Sequence, residues 1–166
     1  MKQRVTRRGF TLIEVMVSVT IMAIVAVLLV PLGTQRDQGR ATAAVRLLAS
    51  DLEHAQMLAL SRPNVRVGVH IDDDGGGWSI VDADNIDIPL MDQFDDGHNG
   101  RTLHVRLGEG RAVVTGSTLV SPAGQLLVFT PLGGLESGVP TLKAAADSAT
   151  AHLNVNSDTG FASIVD

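Results

Sequence analysis

The sequence predicts an α+β protein in which a long N-terminal helix, transmembrane in its first part and amphipathic in its second, packs on a small antiparallel β-sandwich. Three observations predict it. An apolar run interrupted by a single charge, Glu14, extends from Phe10 to Val30. Beyond it, Ala41, Val45, Leu48, Leu52, Ala55 and Ala59 recur with alternating gaps of four and three, the spacing of one helix face. From Val65 onward, apolar residues alternate with polar or small ones in short segments divided by glycine, proline and Asn/Asp clusters.

Residues 1–9 form a basic leader: Lys2, Arg4, Arg7 and Arg8 stand there with no acidic residue. Residues 10–30 follow as a 21-residue apolar stretch, about 31 Å as a helix, which matches the hydrocarbon core of a bilayer. The bias of basic residues toward the cytoplasmic side puts the N-terminus inside and the rest of the chain outside. Glu14 is the anomaly, because a carboxylate at membrane depth costs roughly 2.5 to 3.5 kcal/mol and needs a partner or a use. Three readings account for it. In a plain signal anchor, Glu14 lies near enough to the interface to reach water. In a cleaved secretory signal, Thr6-Arg7-Arg8-Gly9-Phe10 echoes a twin-arginine sequence and Ala41-Thr42-Ala43 supplies a small-x-small site. That second reading fits poorly, since such signals carry an apolar core of about 7 to 15 residues and Arg36, Asp37 and Arg40 intervene before the site. The third rests on a family resemblance that the residues around Glu14 carry.

Residues 31–62 continue the helix outside the membrane. Pro31 and Gly33 mark a bend, Arg40, Arg46, Asp51, Glu53 and Gln56 are expected on faces other than the stripe, and Ser61-Arg62-Pro63-Asn64 supplies the stop. Residues 63–166 are expected as the β-rich globular domain. Val65, Val67, Val69 and Ile71 read as a first half-buried strand; Trp78 to Val81, Leu103 to Leu107, Ala112 to Thr115, Leu126 to Thr130, His152 to Val155 and Phe161 to Val165 read as later ones.

Composition narrows the function. The net charge is −5, and removal of the leader's four basic residues leaves nine against eighteen acidic ones, near −9. Such a domain repels phosphate, and with no tyrosine and only Arg101, Arg106 and Arg111 approaching a basic stripe, no nucleic-acid partner is expected. There is no cysteine and hence no disulfide. Asp158-Thr159-Gly160 matches an aspartic-protease triplet but lacks its second carboxylate, and reads as a turn between strands. His54, His70, His98, His104 and His152 are scattered without metal-ligand spacing, and no nucleophile elbow occurs. Asp72-Asp73-Asp74 and Asp82, Asp84 and Asp87 offer hard oxygens of the kind calcium takes, but neither run has an EF-hand loop. A non-enzymatic protein with no cofactor and no metal is expected.

Arg7-Arg8-Gly9-Phe10-Thr11-Leu12-Ile13-Glu14-Val15 resembles the class III prepilin signal of type IV pilins and type II secretion pseudopilins. Farther on, Gly77-Trp78-Ser79-Ile80-Val81-Asp82, Val128-Phe129-Thr130-Pro131-Leu132-Gly133 and the ending Val155-Asn156-Ser157-Asp158-Thr159-Gly160-Phe161 resemble the minor pseudopilin H (GspH/FimT-like) family. That resemblance implies a pilin-like fold and a structural subunit for protein secretion. It implies cleavage by prepilin peptidase between Gly9 and Phe10, N-methylation of Phe10, and an assembly contact between Glu14 and the N-terminal amine of another subunit. Pro31 falls where these proteins commonly carry a helix-kinking proline. The implied partners are the peptidase, other pseudopilins or pilins, an inner-membrane assembly platform and membrane lipid. The implied location is the bacterial inner membrane, single-pass, with the C-terminal domain periplasmic and drawn into a periplasmic filament. A minor type IV pilin in pilus biogenesis or DNA uptake is the alternative, and a membrane-anchored periplasmic binding or enzymatic domain a third.

Overall fold

A computed structural model of the chain describes residues 10–90, 103–116 and 118–165, with side chains except at 28–35, 88, 111, 114 and 115. Residues 1–9, expected as the leader, and His98 and Arg101 lie outside the described residues. Contacts divide the chain into Met1–Gln35 and Arg36–Asp166.

One helix, α1 (Leu12–Ser61), is assigned without a break for 50 residues, Pro31 and Gly33 included. In the first unit its apolar side chains point outward on every face, and each from Leu12 to Val27 is exposed. A helix that is apolar all round is a helix meant to be covered. Its two hydroxyls are satisfied internally, Ser18 Oγ donating to the Glu14 carbonyl and Thr20 Oγ1 to the Met16 carbonyl, each at 2.8 Å. Neither hydroxyl therefore needs water. The described apolar side chains end at Val27, about 24 Å along the axis from Leu12. Among the described residues, no helix is long and apolar enough to cross a membrane.

In the second unit the predicted stripe is the buried face of the helix: Ala41, Val45, Leu48, Leu52, Ala55 and Ala59 are all closed to solvent, joined by Ala44 and Leu58. Pro63 ends the helix one residue after Arg62 N donates to the Leu58 carbonyl at 2.9 Å.

Ten strands follow among the described residues: β1 (Val67–Ile71), β2 (Gly77–Asp82), β3 (Asn85–Pro89), β4 (His104–Arg106), β5 (Leu119–Ser121), β6 (Leu126–Phe129), β7 (Leu135–Ser137), β8 (Thr141–Ala146), β9 (Ala149–Val155) and β10 (Ala162–Val165). They form two antiparallel sheets, one ordered β3-β2-β1-β6-β7 with β4 also paired to β2, the other β10-β9-β8-β5. Apolar side chains of both sheets and of the helix stripe merge in one core whose largest members are Trp78 and Phe129. The fold is thus α+β, with the distal helix packed on antiparallel sheets.

The structure corrects two expectations. Ala112 to Thr115 is not a strand but part of a 3-10 helix, Gly110–Thr115. Gly108, Gly110 and Gly116 take positive φ around it, which curls the chain too tightly for extended pairing, and Ala112 N donates to the Glu109 carbonyl at 2.9 Å. Asp51, expected on an outer face, is buried. It follows Leu48 by three residues and precedes Ala55 by four, so it sits on the stripe's own face.

Candidate assembly site

The N-terminal end of α1 holds the residues that the sequence singled out. Thr11 is the residue just before the helix. Its carbonyl accepts from Glu14 N at 3.1 Å and from Val15 N at 3.3 Å, and its Oγ1 accepts from Glu14 N at 3.4 Å. Thr11-x-x-Glu14 therefore has the spacing of a capping box, of which only the threonine half forms, a feature that the sequence reading missed although the spacing carries it. A carboxylate in the first turn also meets the positive end of the helix dipole. Its side chain is exposed and makes no hydrogen bond or ion pair with the described residues. Phe10, just before the helix, is 83% exposed. Among the described residues the helix end presents an exposed aromatic residue and a carboxylate without a partner, one turn apart. Gly9 lies outside the described residues, and at Pro31 only the helical backbone is described.

At its far end, α1 is tied to the β-domain by polar side chains as well as by the core. Trp78 Nε1 donates to Asp51 Oδ2 at 2.8 Å in the interior, where the indole is fully buried. One turn on, Gln56 Nε2 donates both to the Gly133 carbonyl at 2.7 Å and to the Thr159 carbonyl at 2.5 Å. Near the start of the unit, Arg40 Nη1 lies 3.6 Å from both Asp37 and Asp147, and Ser148 Oγ donates to Asp37 at 2.8 Å. The three C-terminal segments that resemble the pseudopilin family thus meet the helix at two residues: the Gly77-Trp78 strand through Asp51, and the Gly133 turn and the final hairpin through Gln56.

That hairpin explains Asp158-Thr159-Gly160. Asn156 Oδ1 accepts from Asp158 N at 2.9 Å and Thr159 N at 3.0 Å, and Gly160 N donates to the Asn156 carbonyl at 2.7 Å. The triplet is a turn, as the sequence reading has it. Gly160 takes φ +68°, and a Cβ there would run into the Gly133 carbonyl oxygen, so only glycine fits.

The acidic loop after β1 is engaged by basic side chains. Arg106 Nη2 lies 2.6 Å from Asp74 and Nη1 3.5 Å from Asp72, while His104 Nε2 lies 3.3 Å from Asp72. The Gly76 N–H, bonded to Asp74 Oδ1 at 2.7 Å, and the Arg106 guanidinium together hold the Asp74 carboxyl below its ordinary range. Asp84 pairs with Arg66 at 2.7 Å, which also reaches Glu136 at 2.9 Å, and these partners raise the Arg66 guanidinium further. Arg106, one of the three arginines that approach a basic stripe in the sequence, is about half exposed and spends its charge on this loop. No cluster of metal-ligating side chains occurs among the described residues.

Comparison with known families places two of them on the chain. The prokaryotic N-terminal methylation motif matches residues 4–30, and the type II transport protein GspH family matches residues 44–159. No match was found among curated proteins or solved structures.

Proposed function

The chain belongs to the type II transport protein GspH family and carries a prokaryotic N-terminal methylation motif, and from that premise we propose how this pseudopilin is matured, anchored and assembled. The family is one of structural subunits, so the chemistry is done to the chain and not by it. Prepilin peptidase cuts between Gly9 and Phe10, leaving Phe10 as a methylated N-terminus. The apolar sequence continues past Val27 through Leu28, Leu29 and Val30, which completes a span of about 30 Å. The precursor therefore sits in the inner membrane with its leader cytoplasmic and residues 63–166 periplasmic, and residues 31–62 join the two, with Pro31 the place where the helix bends.

The observation that supports this reading best is the helix from Leu12 to Val27, open on every face and headed by an unengaged Glu14. Lipid covers that surface before assembly; neighbouring helices of other pilin-like subunits cover it in a filament raised from the inner-membrane platform. Lipid offers the carboxylate no partner, whereas the N-terminal amine of an adjacent subunit does, and removing one member of a buried charge pair costs about 3 to 5 kcal/mol. Glu14 thereby sets the axial register. Mass spectrometry of the protein from inner membranes of its own host tests the maturation step: a chain starting at Phe10 and one methyl group heavier is expected, and an intact Met1 terminus would overturn it. Glu14→Ala should insert normally yet fail to enter a filament; undiminished incorporation would remove the register role.

A further inference from the structure

The second sheet ends on one side at β10, which pairs with β9 alone, from Ala162 opposite Val155 to Val165 opposite His152. The sheet's other edge is tied off, since Val120 N in β5 donates to the Gly75 carbonyl at 2.7 Å. Among the described residues nothing pairs with the outer side of β10. The Phe161 carbonyl accepts from Asn156 N at 2.9 Å, so the alternation of an antiparallel ladder turns the backbone groups of Ser163 and Val165 toward β9 and those of Ala162 and Ile164 outward.

This edge is short, at four residues, but among the described residues nothing else blunts it. No charge, proline or bulge interrupts Phe161 to Val165. Phe161 and Val165 are exposed, and Ile164 remains 38% open although Leu153, its partner opposite, is fully buried. The segment Asp147 to Asp166 contains three aspartates and neither lysine nor arginine, and Lys143 of β8 lies two strands in from the edge, opposite His152. Asp147 has Arg40, but the Asp158 carboxylate has no ion pair among the described residues. A second copy of a chain with net charge −5 would bring like charges to the same edge.

We propose that β10 is a strand-addition site for an extended segment of a different chain, apolar at alternate positions and flanked by Lys or Arg. The main chain of such a segment would meet the Ala162 and Ile164 groups, its apolar side chains would cover Ile164 on the inner face that Leu153 shares, its other side chains would stand beside Phe161 and Val165 on the outer face, and its cations would face Asp158. The site is separate from Glu14 and does not depend on filament assembly. The test uses the full chain in detergent micelles with a synthetic peptide of alternating valine and threonine ended by lysines, beside a copy ended by glutamates. The lysine peptide should bind about tenfold tighter and shift the amide resonances of Ala162 and Ile164. Ile164→Pro, which deletes an outward N–H, should abolish binding, and Ile164→Val should keep it. If Ile164→Pro does not fold, a peptide N-methylated at alternate residues serves instead and should not bind. Equal affinity of the two peptides, absence of binding, unchanged binding by Ile164→Pro or by the N-methylated peptide, or self-association through β10 would each overturn the proposal.

Discussion

Breaking the Asp51–Trp78 tie gives the sharpest test of how the helix is fixed to the β-domain. Trp78 is fully buried, Asp51 is 3% exposed, and the Nε1···Oδ2 distance is 2.8 Å. A hydrogen bond to a charged acceptor contributes about 1.5 to 3 kcal/mol, against about 0.5 to 1.5 for a neutral one. Asp51→Asn keeps an acceptor and should cost about 1 kcal/mol. Asp51→Ala leaves the indole N–H orphaned, and Trp78→Phe takes away the donor and opens a void, so each should cost about 2 to 4 kcal/mol. Asp51 has contacts besides the indole, so only a double-mutant cycle isolates the pair. The Asp51→Ala/Trp78→Phe cycle should return a coupling of about 1.5 to 3 kcal/mol. The measurement is urea unfolding of the full chain in detergent micelles, followed by circular dichroism, because Trp78 is the only tryptophan and its loss removes the fluorescence. Additivity within about 0.5 kcal/mol would refute the tie.

Three further outcomes are expected. Gly160→Ala places a side chain at φ +68° against the Gly133 carbonyl and should destabilise by about 2 to 4 kcal/mol in the same assay; a loss below about 0.5 kcal/mol would contradict the hairpin geometry. The Asp74 carboxyl is held below its ordinary value of 3.8 in the folded chain, so its stabilisation is present above pH 3.8 and is lost as pH falls through the lower folded value. Carboxyl NMR should place the Asp74 midpoint under 3.8, and Arg106→Gln should raise it only in part because the Gly76 N–H is the larger cause; complete recovery would assign the depression to Arg106. Gly9→Leu should block cleavage, leaving the precursor at its full size on a gel, and continued processing would remove the small-residue requirement at that position.

Much of this arrangement is legible in the sequence because helical periodicity is strong over a long segment. The six stripe positions are buried without exception, since side chains three and four residues apart have no choice but to share a face. The same rule reaches Asp51, yet a carboxylate breaks the apolar pattern, and its place is understood only once Trp78 is brought over it from β2. Strand β8 went unread for the opposite reason. Leu142, Ala144 and Ala146 alternate inward, but Lys143, Ala144, Ala145 and Ala146 carry little β-propensity, and the pairing with β9 along its whole length decides the matter. β3 ends in Pro89, and β5 and β7 have three residues each, too few to show a period. At the helix end the Gly9-Phe10 junction and Glu14 are legible as a motif, whereas the capping geometry at Thr11 and the double bond of Gln56 depend on distances that spacing alone does not supply.

The spacing of Arg40, Asp51 and Gln56 along α1 has a mechanical consequence. They lie over about 24 Å of helix, and their partners come from the β8–β9 turn, β2, and the two turns at Gly133 and Thr159. A pull along the helix axis therefore loads all three attachments in shear, together with the core between them, instead of peeling them apart one after another. Traction applied to this stretch of α1 would reach the β-domain as a shared load, and tearing the domain away would require several separated bonds to fail at once.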